Sequence, residues 1–231
     1  MSTLQKIQQL YQLPEEANFG FSADEIAALE KSLGLALPVA LKHYYLNLGK
    51  NESINTSHNQ LLKPATEVGF SEDRYLMIFE ENQGVVSWGI KEEDLAQENP
   101  PVWGNYGTEE EPDWYVEAST TENFFLLMAV YNGTFGGLKY NANFFGEVDP
   151  QTVKRIENTW TLVPEISYEK QQVYADDFKE VISVCFDDDQ RCSAIFIGTS
   201  DQQRFDETLD LIAVDWSYTS YEDEDEEWEE D

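Results

Sequence analysis

Hydrophobic side chains in this 231-residue sequence recur every three to four positions up to about residue 50 and fall into short alternating runs after about residue 75. A chain that switches period in this way has to lay helices on a sheet. Residues 4–12 read as a short amphipathic helix that stops before Pro14. Ser22-Ala23-Asp24-Glu25 has the form of a capping box, with Phe21 placed as a staple to Ile26, and the stripe Ile26, Leu29, Leu33 ends at Gly34. Pro38 opens a further helix whose Leu41, Tyr44, Tyr45 and Leu48 face a core and which Gly49 closes. Tyr75–Glu80 and Val85–Ile90 then predict a hairpin around Glu81–Gly84, followed by strand-like runs at Pro100–Trp103 and Trp114–Glu117. Phe124–Tyr131 is apolar on most sides and predicts a buried helix ending near Gly133. The expected class is α+β, with helices packed on a mainly antiparallel β-sheet.

Beyond Gly146 the signals are weaker. Residues 159–163 predict a strand, 181–186 and 193–198 a hairpin around Asp187–Gln190, and 205–216 a helix or a strand. The organisation expected is a domain over 1–146, a C-terminal α/β extension over 147–216 that prolongs the sheet or forms a small subdomain, and an acidic tail over 217–231. That tail holds too little apolar surface to order itself.

Charge narrows the function. Residues 1–146 hold 21 acidic and 8 basic side chains (−13), residues 147–220 hold 16 and 6 (−10) and residues 221–231 hold 9 and 0 (−9), a formal total of −32. The acidity therefore belongs to the body of the chain as well as to its end. Nucleic acids and anionic membranes are both bound through clustered Lys and Arg, so neither is an expected partner, and a basic protein is the natural complement. No run approaches 18 consecutive apolar residues and the N-terminus lacks the basic and apolar regions of a secretory signal, which predicts a cytoplasmic protein. Cys185 and Cys192 read as two reduced thiols with no metal role.

Catalytic signatures are missing. The sequence has no dinucleotide fingerprint, no phosphate loop, no zinc-protease motif and no nucleophile elbow, and its two histidines, His43 and His58, lie in unrelated settings. Carboxylates are too numerous for any pair to mark a hydrolase. Asp187-Asp188-Asp189 does not continue as a calcium loop, because Cys192 stands where that loop needs glycine, and a hairpin tip is expected instead. A protein without enzymatic activity, cofactor or metal is expected. The pattern that stands out is aromatic: Trp88, Trp103, Tyr106 and Trp114 lie close in sequence to the acidic run Glu109-Glu110-Glu111. Rings beside carboxylates suit a basic protein, the rings supplying affinity and the acids steering. Packing on a sheet face is the competing reading for Trp88 and Trp103, whereas Tyr106 and Trp114 are expected to be partly exposed.

Two blocks carry a family resemblance. Ser22-x-x-Glu25-Ile26-x-x-Leu29-Glu30-x-x-Leu33-Gly34-x-x-Leu37-Pro38 with Tyr44-Tyr45 and Gly49 resembles the N-terminal signature of the Smi/Knr-like proteins of the SUKH superfamily. Phe79–Ile90 and Pro100–Trp103 resemble the central hairpin and following strand of its bacterial members, and Phe124-Phe125-Leu126 the closing helix. The resemblance covers about residues 15–146. It implies an α+β domain and, for bacterial members, an immunity protein that neutralises a toxin, for instance a nuclease, by direct binding. Fungal members resemble cell-wall regulators, so a regulatory or scaffold protein with an endogenous partner is the alternative. Gly49-Lys50-Asn51 and the long C-terminal region depart from the family pattern.

Overall fold

The computed structural model describes residues 1–14, 17–108 and 110–221 and shows an α+β protein. In chain order its elements are α1 (Thr3–Leu10), α2 (Ala23–Leu33), α3 (Val39–Leu48), α4 (Glu52–Asn55), β1 (Gln60–Leu61), β2 (Gly69–Phe70), β3 (Tyr75–Glu80), β4 (Ser87–Lys91), β5 (Val102–Asn105), β6 (Trp114–Ala118), α5 (Thr121–Asn132), β7 (Tyr140–Phe145), α6 (Pro150–Thr159), β8 (Thr161–Leu162), β9 (Gln171–Asp176), β10 (Glu180–Phe186), β11 (Cys192–Thr199), α7 (Gln202–Ile212) and β12 (Tyr218–Thr219). They form two compact units, one of Glu16–Ala129 and one that joins residues 1–15 to residues 130–231. Among the described residues no helix is long and apolar enough to cross a membrane.

In the unit of Glu16–Ala129 the helices start where local chemistry sets them. The Ser22 hydroxyl accepts the Glu25 amide at 3.2 Å and the Glu25 carboxylate accepts the Ser22 amide at 2.7 Å, so two of the donors left over at a helix start are satisfied at once. Gly34 ends α2 at φ 71°. Gly49, expected to close α3, makes no left-handed stop, since its φ is −59°; glycine is required there because a Cβ would lie 2.7 Å from the Phe21 ring. Phe21 meets Tyr45 edge-on with ring centroids 5.8 Å apart. The two core tyrosines need partners for their hydroxyls, and each finds one. Tyr44 donates to Asn55 Oδ1 at 2.7 Å and stacks on Phe125 at 3.6 Å, while Tyr45 donates to the Leu62 carbonyl at 2.9 Å.

The sheet of this unit is antiparallel in the order β1-β3-β4-β5-β6, with β2 also on β3. Residues 75–80 and 87–91 make the expected hairpin, although its second strand begins at Ser87 and leaves Val85 and Val86, expected in that strand, in the turn. The strands expected near 102 and 114 are β5 and β6. In α5 the residues Phe124 to Val130 are buried without interruption, as their all-round apolarity requires.

The second unit has its own antiparallel sheet in the order β12-β7-β11-β10-β9-β8. The sequence division after Gly146 falls inside it, between β7 and α6. Gly146 terminates a strand, with φ 147° and its amide on the Ser193 carbonyl at 2.9 Å, and β7 is a middle strand between β11 and β12. Residues 218 and 219, which composition placed in the tail, pair with β7 as β12; the remainder of that tail, 222–231, lies outside the described residues. The region 205–216 resolves as helix through Ile212, and Asp187–Gln190 is the expected tip between β10 and β11. The core joins Ile156, Trp160, Ile182, Val184, Ile195, Ile197 and Phe205. Helix α1 belongs here, burying Ile7 and Leu10; Lys6 pairs with Glu165, Gln9 Nε2 donates to the Asp177 carbonyl at 2.7 Å and Ser200 Oγ to the Leu10 carbonyl at 2.8 Å.

Candidate functional site

The aromatic and acidic residues are held by the β5–β6 hairpin, whose described loop residues are joined by hydrogen bonds. Asn105 Oδ1 accepts the amides of Gly107 at 3.0 Å and Asp113 at 2.9 Å, and Tyr106 N–H donates to the Asp113 carbonyl at 2.9 Å. Within the loop Thr108 N–H donates to the Glu111 carbonyl at 3.1 Å, and Thr108 Oγ1 accepts the Glu111 amide at 3.0 Å. A Cβ at Gly107 would sit 2.2 Å from the Glu111 carbonyl oxygen, so this approach requires glycine. Trp103 pairs with Val116 and Val102 with Ala118, which leaves Glu117 as an extra residue, a β-bulge.

The strand period divides the predicted residues between two faces. On the face that carries Gly104, Trp88 is only 4% exposed; it packs against Phe79 and Phe124, and its indole Nε1 donates to Glu117 Oε2 at 3.0 Å. Trp88 is thus a core residue and offers no ring to a partner. Tyr106, 51% exposed, donates its hydroxyl to the same Glu117 oxygen. On the opposite face Trp114 stacks on Tyr75 at 3.7 Å and donates to Asp73 Oδ2 at 3.2 Å. Trp103 meets Tyr75 edge-on at 6.3 Å, with Lys91 Nζ 5.8 Å from the centre of its ring. Trp103 is partly buried and its Nε1 is fully covered without a hydrogen-bond partner. Burial removes Tyr75's phenol from water and pushes its pKa up.

Of the seven residues expected to bind, Tyr106, Glu110 and Glu111 are exposed, Trp103 and Trp114 are partly buried in a packed aromatic cluster, Trp88 is interior, and Glu109 lies outside the described residues. The sequence reading missed three residues that complete the exposed part. Tyr115 and Val116 are 57% and 51% exposed, and Glu117 anchors both Trp88 and Tyr106. The alternation Trp114, Tyr115, Val116, Glu117 carried the signal for the first two, since one of each adjacent pair must face outward on either side of the strand. Tyr115 meets Tyr106 edge-on at 6.2 Å and donates to Asp113 Oδ2 at 3.0 Å, a bond to a carboxylate that holds its phenol above the usual range.

This corner of the molecule is acidic without compensation. Asp73, Glu110, Glu111, Asp113 and Glu117 enter none of the ion pairs among the described residues. Arg74 and Lys91 lie nearby but pair with Glu92 and Glu93.

A cleft of 460 Å³ in the other unit is lined by Asp176, Glu180, Asp201, Arg204 and Glu207 among others. Its buried Glu180 carboxylate is fully engaged, accepting Trp160 Nε1 at 2.6 Å, Thr208 Oγ1 at 3.0 Å and Arg204 Nη1 at 3.4 Å. Arg204 also bonds Asp176 at 2.8 Å. Satisfied on every side, the network ties α6 and α7 to β10. The Asp187 carboxylate at the hairpin tip is likewise occupied, by the Asp189 and Arg191 amides and the Arg191 guanidinium. Among the described residues no three His, Cys, Asp or Glu side chains are grouped to hold a metal ion.

No protein-family model, curated protein or solved structure matches this chain.

Proposed function

We propose that this protein is a cytoplasmic, non-enzymatic binding module of the immunity type, which neutralises a basic toxin, for instance a nuclease, by direct contact. The observation that carries the reading is the β5–β6 corner, where exposed Tyr106 and Tyr115 stand on a hydrogen-bonded hairpin among five carboxylates that enter no ion pair among the described residues. Such a surface is costly to leave uncompensated and is suited to attract a cationic partner. The charge of −32 extends the same attraction over the whole molecule. The resemblance of Ser22–Gly49, Phe79–Ile90 and Pro100–Trp103 to Smi/Knr-like proteins of the SUKH superfamily supports the choice of a toxin as that partner.

The test is capture from a lysate of the source cells with the full-length chain and with a version ending at Ser220, followed by a growth assay of the captured protein. The expected result is stoichiometric recovery of a basic protein that arrests growth when expressed alone and is harmless when co-expressed with this chain. Recovery of a harmless endogenous protein would assign the chain to the regulatory or scaffold class, and recovery of none would remove the binding reading.

A further inference from the structure

Among the described residues strand β6 ends its sheet and pairs only with β5. The phase of that pairing is fixed: Tyr106 N–H donates to the Asp113 carbonyl, Gly104 lies opposite Tyr115 and Asn105 opposite Trp114. In an antiparallel ladder alternate residue pairs exchange the hydrogen bonds. Tyr115 therefore spends its backbone groups on β5, while Trp114 and Val116 turn theirs away from the sheet. The preceding position in this phase is Pro112, which has no N–H, and the bulge at Glu117 breaks the phase on the other side. The edge is closed at both ends and open over Trp114–Val116. Natural edges are commonly guarded by Lys or Pro, and these three positions hold neither; Tyr115 and Val116 are instead more than half exposed.

The chemistry around the open stretch selects what pairs with it. The Glu117 carboxylate receives two neutral donors, Trp88 Nε1 and the Tyr106 hydroxyl, and no cation. The Tyr106 and Tyr115 rings stand at its side, and rings of this kind attract ammonium and guanidinium groups. A second copy of this chain is a poor occupant, because pairing two β6 strands would bring Glu110, Glu111, Asp113 and Glu117 of both copies together on molecules that each carry −32. A strand bearing Lys or Arg supplies both what the backbone and what the carboxylates lack.

We propose that β6 is a docking edge for an extended segment of a basic protein, which pairs with the backbone of Trp114 and Val116 and sets a Lys or Arg side chain against Glu117 and the rings of Tyr106 and Tyr115. This is strand addition to an exposed edge, with main-chain bonds giving affinity and the side-chain contact giving selectivity. It rests on the reading of the chain as a binder of basic proteins and names the surface.

The test uses the full ¹⁵N-labelled chain titrated with a capped octapeptide of alternating Arg and Val. The amides of residues 106 and 114–118 are expected to shift. The same peptide N-methylated along its pairing edge should bind about tenfold or more weakly, and the alternating Glu and Val peptide should not bind. Glu117→Gln should weaken the Arg peptide about tenfold. Val116→Lys, which leaves the Trp88 and Tyr106 bonds to Glu117 in place, should do the same if Glu117→Gln disturbs folding. Unchanged amides at 114–118, equal binding of the N-methylated peptide, or concentration-dependent shifts at β6 without peptide, the mark of self-pairing, would each overturn the proposal. A toxic basic partner still held by Val116→Lys at wild-type affinity would overturn the edge while leaving the binding function intact. Absence of any such partner for the wild type would remove the function while the peptide titration still decides on the edge.

Discussion

Replacing Tyr44 by Phe removes one oxygen from a fully enclosed site and nothing else. The ring stays stacked on Phe125 at 3.6 Å, and the residue's 2% exposure leaves no route by which water could take the place of the hydroxyl. What is lost is the 2.7 Å bond to Asn55 Oδ1, an oxygen on a residue that is itself 2% exposed. Its two other bonds, from Nδ2 to the Leu48 and Asn51 carbonyls at 2.7 and 3.0 Å, leave that oxygen unserved. A buried acceptor left without a donor costs about 1–3 kcal/mol, so Tyr44→Phe should lower the stability of the Glu16–Ala129 unit by that amount. Asn55→Ala should cost more, because it also removes the Nδ2 bonds to those two carbonyls, which are left with one backbone N–H each, and empties the space of the amide. In the double variant the acceptor and the donor vanish together, so the two losses should fall short of additivity by about 0.5–2 kcal/mol. Urea unfolding followed by far-ultraviolet circular dichroism, with native-state hydrogen exchange at the α3 amides to isolate this unit, measures all four corners of the cycle. Strict additivity, or a Tyr44→Phe loss under about 0.5 kcal/mol, would refute the claim that this hydrogen bond is what admits two polar groups to the core.

Further outcomes follow from other features. The Ser22 amide and hydroxyl and the Lys50 ammonium pull the Glu25 carboxyl down to about 2 from an ordinary 4.5. A lowered pKa stabilises the folded state above the ordinary value and loses that contribution as pH falls toward 2, so acid-unfolding curves of the wild type and Glu25→Gln should differ above pH 4.5 and converge near pH 2; curves that stay parallel would contradict the cap. Burial pushes the Cys185 and Cys192 thiols up to about 11, and both should react slowly with a thiol reagent at pH 8 until the protein is unfolded, with prompt native labelling counting against that burial. Gly20→Ala would drive a Cβ to 1.8 Å from the Leu46 carbonyl oxygen; no flexible side chain can yield there, and loss of soluble folded protein on expression is the expected result. Association with the basic partner should slow by about tenfold or more on raising salt from low to physiological strength, and a salt-independent stopped-flow rate would show that the charge does no steering.

Features written in adjacent residues were legible in the sequence. The Ser22–Glu25 box, the Gly34 stop and the first strand of the hairpin at Tyr75–Glu80 each depend on a few neighbours, and each is where the spacing put it; the second strand starts two residues later than its apolar run. Strand β7 escaped because Tyr140-Asn141-Ala142-Asn143 sets polar residues in buried or half-buried places: Asn141 is interior only because its Nδ2 reaches the Leu138 carbonyl at 3.0 Å. Helix α6 carried an overlooked local signal in Asp149-Pro150, whose carboxylate accepts the Gln151 amide at 2.9 Å. The candidate site was half legible. Composition found the acids and the rings, but which rings point outward depends on strand phase, and the role of Glu117 depends on a bulge that exists only once β5 and β6 have paired. Trp88 reads the same in sequence whether it is core or surface; the packing of Phe79 and Phe124 around it decides.

The membership of α1 in the unit built from residues 130–231 also sets an order of events during synthesis. Its Leu10 carbonyl waits for a hydroxyl 190 residues further along the chain. At about 5–20 residues per second the ribosome takes roughly 10–40 s to deliver it. Throughout that interval residues 16–129 can complete their own sheet and core, while Ile7 and Leu10 remain uncovered. The intervening unit can mature first, and α1, made before it, finds its place only after it, so a nascent chain stalled before β11 would present the unburied apolar face of α1 to chaperones and proteases.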